Sequence, residues 1–369
     1  MTKTLIAALV AGTMLAGCAV NEPPMRAGAA ETVLPMAAPT PALDTSRVLT
    51  RIAFGSCNHQ TGDQSIWSVM AAAAPDLTLL IGDNVYGDDG YAGDAAMASF
   101  VSAYRIQAAD AGFSALRAAA PMLATWDDHD YGPNDSGGYF VYKQRSERLF
   151  ESFWGGSADM RARPGVYDSV IAGPEGERVQ VIMLDTRFFR GPLAEAVERR
   201  PRPALGKYVS RADPDAEMLG DAQWAWLERE LAKPADLRIL VSSIQLLTDA
   251  HGFEKWGNMP IERARLYRML GARVGGGVIA VSGDRHVAGV YRDRPDALDT
   301  PLWELTSSSL NRPFATGDVS AREPDAKRKG PLLADENFGL IEIDWPARQA
   351  SLQLRGKTGD VMLQQQVAF

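Results

Sequence analysis

The chain has 369 residues, 46% of them apolar, and a formal net charge of -8. That length and apolar content are enough for a large buried core, as one big domain or two modest ones. The acidic balance and the lack of any long basic run exclude nucleic acid as the main partner.

In chain order, Lys3 precedes an apolar run from Leu5 to Leu15. The run is too short for a permanent membrane span and suits the core of a secretory signal. It closes on Leu15-Ala16-Gly17-Cys18, which resembles the lipobox where a bacterial lipoprotein is cut and its cysteine acylated. Residues 1–17 are therefore expected to be a lipoprotein signal peptide, with Cys18 lipidated and holding the chain to the membrane. Ala19 follows, with no Asp to mark inner-membrane retention, so the expected address is the cell envelope, at the periplasmic face of the outer membrane. From 18 to 47 the chain is rich in Ala and Pro and is expected to be a disordered tether before a single domain over 48–369. Of the two cysteines, lipidation of Cys18 leaves Cys57 without a disulfide partner in an oxidising compartment. Cys57 is then either a buried small hydrophobe or a metal ligand.

Short β-rich apolar runs recur at Val48 to Phe54, Leu77 to Ile81, Met122 to Trp126, Val179 to Leu184, Arg238 to Ser242 and Val278 to Ser282. Each predicts a buried strand. Helical stretches at Met97 to Gln107, Lys143 to Phe153, Asp221 to Leu231 and Ile261 to Leu270 lie between them, the alternation of an α/β domain. Leu302 to Thr306 and Gly339 to Asp344 predict two more strands, followed by the alternating segment Ala350 to Leu354.

Polar clusters close four of these strands: Gly55-Ser56-Cys57-Asn58, Gly82-Asp83-Asn84-Val85-Tyr86, Asp127-Asp128-His129-Asp130 and Gly283-Asp284-Arg285-His286. The carboxyl ends of strands are where ligand sites form in open α/β sheets. Carboxylates crowded this closely repel one another unless cations sit among them. A pair of water-activating metals needs hard carboxylates, imidazoles and a bridging carboxylate. Asp83 is the candidate bridge, with Tyr86 returning to the same point if the loop makes one turn. Asp128 is placed to bind the second metal, His129 to act as general acid or phosphate clamp, and Asp127 and Asp130 to orient that histidine. Along an extended segment Asp284 and His286 would share one side and Arg285 would point away. His59 and His251 lie in polar loops, as substrate contacts, ligands or solvent-exposed residues. Arg187, after the Val-Ile-Met-Leu-Asp strand, either grips a phosphate oxygen or pairs with Asp185. The basic, Pro-rich segment from Arg199 to Tyr208, with Arg199, Arg200 and Arg202, is expected to be a mobile flap that gathers anionic substrate.

From Arg51 to about Asn311 the chain resembles the PhoD-like branch of the calcineurin-type metallophosphoesterases. The resemblance is carried by Phe54-Gly55-Ser56-Cys57-Asn58, Ile81-Gly82-Asp83-Asn84-Val85-Tyr86-Gly87-Asp88, Thr125-Trp126-Asp127-Asp128-His129-Asp130, Leu184-Asp185-Thr186-Arg187, Ser242-Ser243-Ile244-Gln245 and Ser282-Gly283-Asp284-Arg285-His286. It implies a four-layer α-β-β-α sandwich and a phosphatase or phosphodiesterase with Fe(3+) beside Ca(2+), another divalent metal being the alternative. By motif, Cys57, Asp83 and Tyr86 would hold iron, completed by His286 or Asp284, while Asp83, Asp128 and Asp284 would face calcium. Two departures stand out: the folded part starts at about Val48 without an added N-terminal β-domain, and the leader lacks a twin arginine.

The expected activity is hydrolysis of phosphate esters by a metal-bound hydroxide at the cell envelope, by a monomer, with His129, Asp128 and Arg187 as catalytic groups. The alternatives are a phospholipase D-like or polymer-directed phosphodiesterase on the same scaffold, or a non-catalytic metal-binding envelope lipoprotein.

Overall fold

The computed structural model describes residues 33–198, 205–314 and 323–369. The expected signal peptide, Cys18 and the first part of the tether lie outside the described residues, as do Arg199, Arg200 and Arg202. The elements run β1 (Arg51–Gly55), α1 (Ile66–Ala72), β2 (Leu77–Ile81), α2 (Ala98–Ala109), α3 (Ala111–Ala119), β3 (Met122–Thr125), α4 (Asp128–Tyr131) and α5 (Lys143–Trp154). They continue with β4 (Asp168–Ala172), β5 (Val179–Met183), α6 (Gly220–Leu231), β6 (Leu237–Val241), α7 (Pro260–Gly271), β7 (Gly277–Ser282), β8 (Ala288–Asp293) and β9 (Leu302–Thr306). The last strands are β10 (Arg328–Leu333), β11 (Asn337–Asp344), β12 (Gln349–Gly356) and β13 (Val361–Ala368).

These strands form two sheets, ordered β13-β12-β11-β1-β2-β3 and β10-β8-β9-β7-β6-β5-β4. β1, β2 and β3 are parallel in the first sheet, and β5, β6, β7 and β9 in the second. The period of two along each central strand divides its side chains between two cores. Ile52, Phe54, Leu77, Leu79 and Ile81 of the first sheet meet Val181, Met183, Ile239, Val241, Ile279 and Val281 of the second. Ala53 and Leu80 turn the other way, onto Trp67, Phe100, Phe113 and Phe150 from the helices of the first half. On the far side Ile182, Leu240 and Ala280 pack against Trp224, Leu227, Leu266 and Leu270 of α6 and α7. The result is the expected four-layer α-β-β-α sandwich. Each fully buried large aliphatic or aromatic side chain contributes roughly 1.5–3 kcal/mol, so a polar replacement of Phe54, shared by neither solvent nor helix, would strike the central layer.

Several elements escape the sequence pattern. β4 and β13 are half-exposed edge strands without a clean apolar alternation, and α1 has only 7 residues. β1 begins at Arg51, three residues later than expected, because the Asp76 carboxylate captures the amides of Thr50 at 2.8 Å and Arg51 at 3.0 Å. Residues 33–47, read as part of a disordered tether, instead lie extended against the outer helices. The Ala37 amide donates to the Phe153 carbonyl at 3.1 Å, Thr40 Oγ1 to Ala120 at 2.8 Å, and Arg117 Nε to the Ala38 carbonyl at 2.5 Å. Leu34 packs on the same core. Prolines hold this stretch extended and leave its carbonyls open to such donors.

Candidate metal centre

The polar clusters converge where the parallel strands of both sheets end. Cys57 follows β1, Asp83 follows β2, Asp128 opens α4 after β3, and Asp284 and His286 follow β7. Cys57, Asp83, Asp284 and His286 all take left-handed backbone, with φ of 59°, 49°, 63° and 55°. Side chains other than glycine pay about 1–3 kcal/mol for such conformations, which persist at functional sites where the surrounding fold enforces them. Here the enforcement is visible: Cys57 N donates to Gly82 O at 3.3 Å, Asn58 N to Asp83 O at 2.8 Å, and Gly283 N to Ser243 O at 2.9 Å. Gly82, at φ 118°, has no room for a side chain, since a Cβ would stand 2.6 Å from that of Asp127.

The turns bring four donor sets within 4.8 Å: Cys57, Asp83 and His286; Asp83, Asp128 and His129; Asp83, Asp127, Asp128 and Asp284; and, on the far side of Asp128, Asp128, Asp135 and Glu254. Asp83 is common to the first three. Its Oδ2 receives Cys57 Sγ and the Tyr86 hydroxyl, each at 3.4 Å, and Tyr86 OH is also 3.4 Å from His286 Nε2. Tyr86, Asp128, His129, Asp284 and His286 line a cavity of about 630 Å³, with Cys57 and Asp83 buried at its floor.

The charge states fit a cation at this floor. Burial, reinforced by neighbouring carboxylates, pushes Asp83 and Asp284 well above the usual carboxylate range. Burial and then Asp83 push the Cys57 thiol up as well. Asp128 Oδ1 is buried with no hydrogen-bond partner. So many buried acceptors with so little compensating charge are costly unless metal ions supply it. His286 is ready to ligate. Burial drives its pKa down to about 4, and its Nδ1–H donates to the Arg312 carbonyl, leaving Nε2 unprotonated toward Tyr86. A thiolate with a phenolate, an imidazole and a shared carboxylate suits one transition metal, and the all-carboxylate set suits a harder ion.

His129 is the opposite case. Burial would lower its pKa, but Asp128, Asp83 and Asp88 outweigh it and raise it to about 11. Its Nδ1–H donates to Asp88 Oδ1 at 2.7 Å. The expectation that Asp127 and Asp130 orient this ring needs correction. Asp130 accepts the amides of Asp127 and Asn84 at 3.0 Å each, and Asp127 accepts Arg187 Nε and Ser243 Oγ at 2.5 Å each. Both hold the loop, and Asp88 holds the histidine.

Two arginines also sit differently from the sequence reading. Arg187 has no exposed surface and lies behind Asp128, ion-paired to Asp127 and to Glu254 at 2.5 Å, so it is a positioning group and not a phosphate clamp. Arg285 lines the cavity, because the left-handed residues on either side break the alternation that would turn it away. His59 pairs with Asp89 at 2.9 Å and stacks on Tyr86, while His251 is buried and bonded to Gln245 at 2.8 Å. Among the residues without a role in the sequence reading, Asp88 closes one of the motifs that carry the resemblance. Glu254 and Arg312 carry no local signal at all. Ser308, from the loop after β9, approaches Cys57 Sγ at 3.0 Å and accepts the His286 amide at 2.6 Å.

A carboxylate-rich cradle at the strand ends of a four-layer sandwich defines the metallophosphoesterase type of fold. The chain belongs to the PhoD-like phosphatase family, which matches residues 52–152 and 157–354. It is similar to alkaline phosphatase D of Bacillus subtilis (strain 168), 23% identical over 276 residues, or 64% of this chain and 46% of that protein. The chain therefore corresponds to less than half the length of that relative. It is also similar in fold to a solved structure described as that of PhoD, with a TM-score of 0.65 at 16% identity, covering 89% of this chain and 70% of the other.

Proposed function

We propose that this protein hydrolyses phosphate esters with metal ions held by Cys57, Asp83, Tyr86, Asp128, Asp284 and His286. The observation that carries the reading is the convergence of three donor sets on Asp83 at the floor of a cavity that also presents His129. The family membership supports it. When bound, the ions would supply positive charge that lowers the pKa of a water and polarises the phosphoryl group. The protein's own residues do the rest. Asp83 sets the spacing of the donor sets, and Ser308 and the Arg312 carbonyl fix the backbone and tautomer of His286. Protonated His129, held by Asp88, gives its proton to the leaving oxygen or neutralises charge there.

The donor chemistry supports iron at the Cys57, Tyr86 and His286 side and calcium at the Asp128 and Asp284 side. The cavity is far larger than one phosphate requires, which supports diesters as substrates beside monoesters. The leader and its Leu15-Ala16-Gly17-Cys18 close support export as a lipoprotein of the cell envelope. Elemental analysis of the purified protein, with turnover of one aryl monoester and one aryl diester before and after chelation, tests the function. Bound metal and chelator-sensitive turnover support it; a metal-free protein, or turnover indifferent to chelation, rejects it. Replacing Cys18 by Ser and following the protein between membrane and soluble fractions tests the anchor.

A further inference from the structure

The cavity has a second wall that phosphoryl chemistry does not use. Phe314 is 53% exposed, and its amide donates to the His286 carbonyl at 3.0 Å, so an open aromatic ring is pinned beside a candidate metal ligand. Phe253 stands nearly edge-on to it, with ring centroids 5.9 Å apart and 72° between the planes. Behind them the Arg285 guanidinium lies 4.6 Å from the Phe253 centroid and 6.0 Å from that of Phe314, itself ion-paired with buried Glu323. That sandwich fixes the rings from one side only. In the same lining Lys207 and Arg312 are exposed cations, each resting over a tyrosine, Tyr208 and Tyr86, and Lys207 is also ion-paired with Glu195 at 2.9 Å. Phe253, Phe314, Arg285, Lys207 and Arg312 line the same space as His129 and His286.

A rigid, solvent-exposed aromatic face next to a reaction site gains most from a flat partner, because stacking both buries apolar area and matches the ring quadrupoles. A polyol would meet the cations but leave the phenylalanine faces uncovered, and an alkyl chain would cover those faces without the flat shape or the quadrupole match of a ring. We propose that Phe314 and Phe253 form a stacking subsite for a planar substituent of the ester, so that nucleotide-type phosphoesters are preferred. This inference rests on the hydrolytic reading for where the phosphate lies. Arg312 is placed to meet oxygens of the sugar or of a second phosphate.

Adenosine 5′-monophosphate and ribose 5-phosphate both leave through the 5-oxygen of ribose and differ at C1, which carries the base in one and a hydroxyl in the other. The metal-loaded wild type is expected to favour the nucleotide about tenfold in kcat/KM and in calorimetric affinity, within what stacking of one base supplies. Phe314→Ala is expected to bring both ratios close to one, and Phe314→Trp to restore them. Taking the ratio cancels any general loss in a variant. A wild-type ratio near one, or a ratio that survives Phe314→Ala, overturns the subsite. A tenfold binding preference without turnover of either ester would keep the subsite and reject the hydrolase, and equal turnover of both would do the reverse.

Discussion

Arg187 Nη2 and Glu254 Oε2 meet at 2.5 Å, both side chains essentially without solvent contact, immediately behind Asp128. The same arginine reaches Asp127, and Glu254 reaches on to Arg190 at 2.6 Å. A loop after β3, the turn after β5 and the loop between β6 and α7 are thereby tied together by charge, at the point where a metal ligand must be held still.

Removing one member of such a network leaves a buried charge uncompensated, which costs about 3–5 kcal/mol. Arg187→Met is therefore expected to lower the unfolding free energy by about that much. The double variant Arg187→Met with Glu254→Gln should lose clearly less than the two single losses together, because the unpaired carboxylate is gone. Urea unfolding of the four proteins measures this directly. A variant of normal stability with a raised KM would instead return Arg187 to the substrate.

Asp83 belongs to three of the four donor sets, including all those that contain Cys57, His286 or Asp284, whereas Cys57 belongs to one. Asp83→Asn should thus abolish bound metal altogether, with a fall in turnover beyond the roughly 10–100-fold typical of groups one step removed from a metal. Cys57→Ser should lower the occupancy or change the identity of one ion only. Metal stoichiometry of the two purified variants decides; equal losses would show that the donor sets are not separate sites.

His129 serves chemistry in this reading, so His129→Asn should cut kcat by about 10²–10⁴-fold while metal content stays near that of the wild type. Asp88→Asn should fall less, because the ring remains but loses its 2.7 Å anchor. Parallel metal analysis and steady-state kinetics separate the roles, and metal lost from His129→Asn would make that residue a ligand.

The sequence makes the sandwich and the cradle legible for the same reason: central strands are buried on both faces and end in clusters whose chemistry is local. Cys57, Asp83, Tyr86, Asp128, Asp284 and His286 could each be found from the strand that delivers it. What stayed hidden depends on long-range pairing or on backbone twist. Glu254 acquires its role only because β6 runs beside β5, and Arg187 turns inward to meet it. Arg285 was placed by an alternation rule that assumes extended backbone, and the left-handed residues 284 and 286 remove that assumption. The Ala/Pro-rich stretch reads as a tether because it is held by a few scattered contacts, most of them to or from backbone groups, which leave no periodic side-chain pattern.

Glu147 offers a test of the fold away from the site. Burial, with further repulsion from Glu151 and Asp185, pushes its pKa up from 4.5 to about 7, although the Gly165 amide donates to its Oε1 at 2.5 Å. The folded protein therefore binds this proton more tightly than the unfolded chain does. Stability is undiminished below about pH 4.5 and is lost as pH rises through about 7. At about 1.4 kcal/mol per pH unit the loss is bounded near 3 kcal/mol, and the partial exposure of the group reduces it to about 1 kcal/mol. Glu147→Gln keeps the acceptor for Gly165 and cannot ionise. It should match the wild type in urea midpoint at pH 4 and exceed it at pH 8. Midpoints that track one another across that range would place the Glu147 carboxylate in solvent and the start of β4 elsewhere.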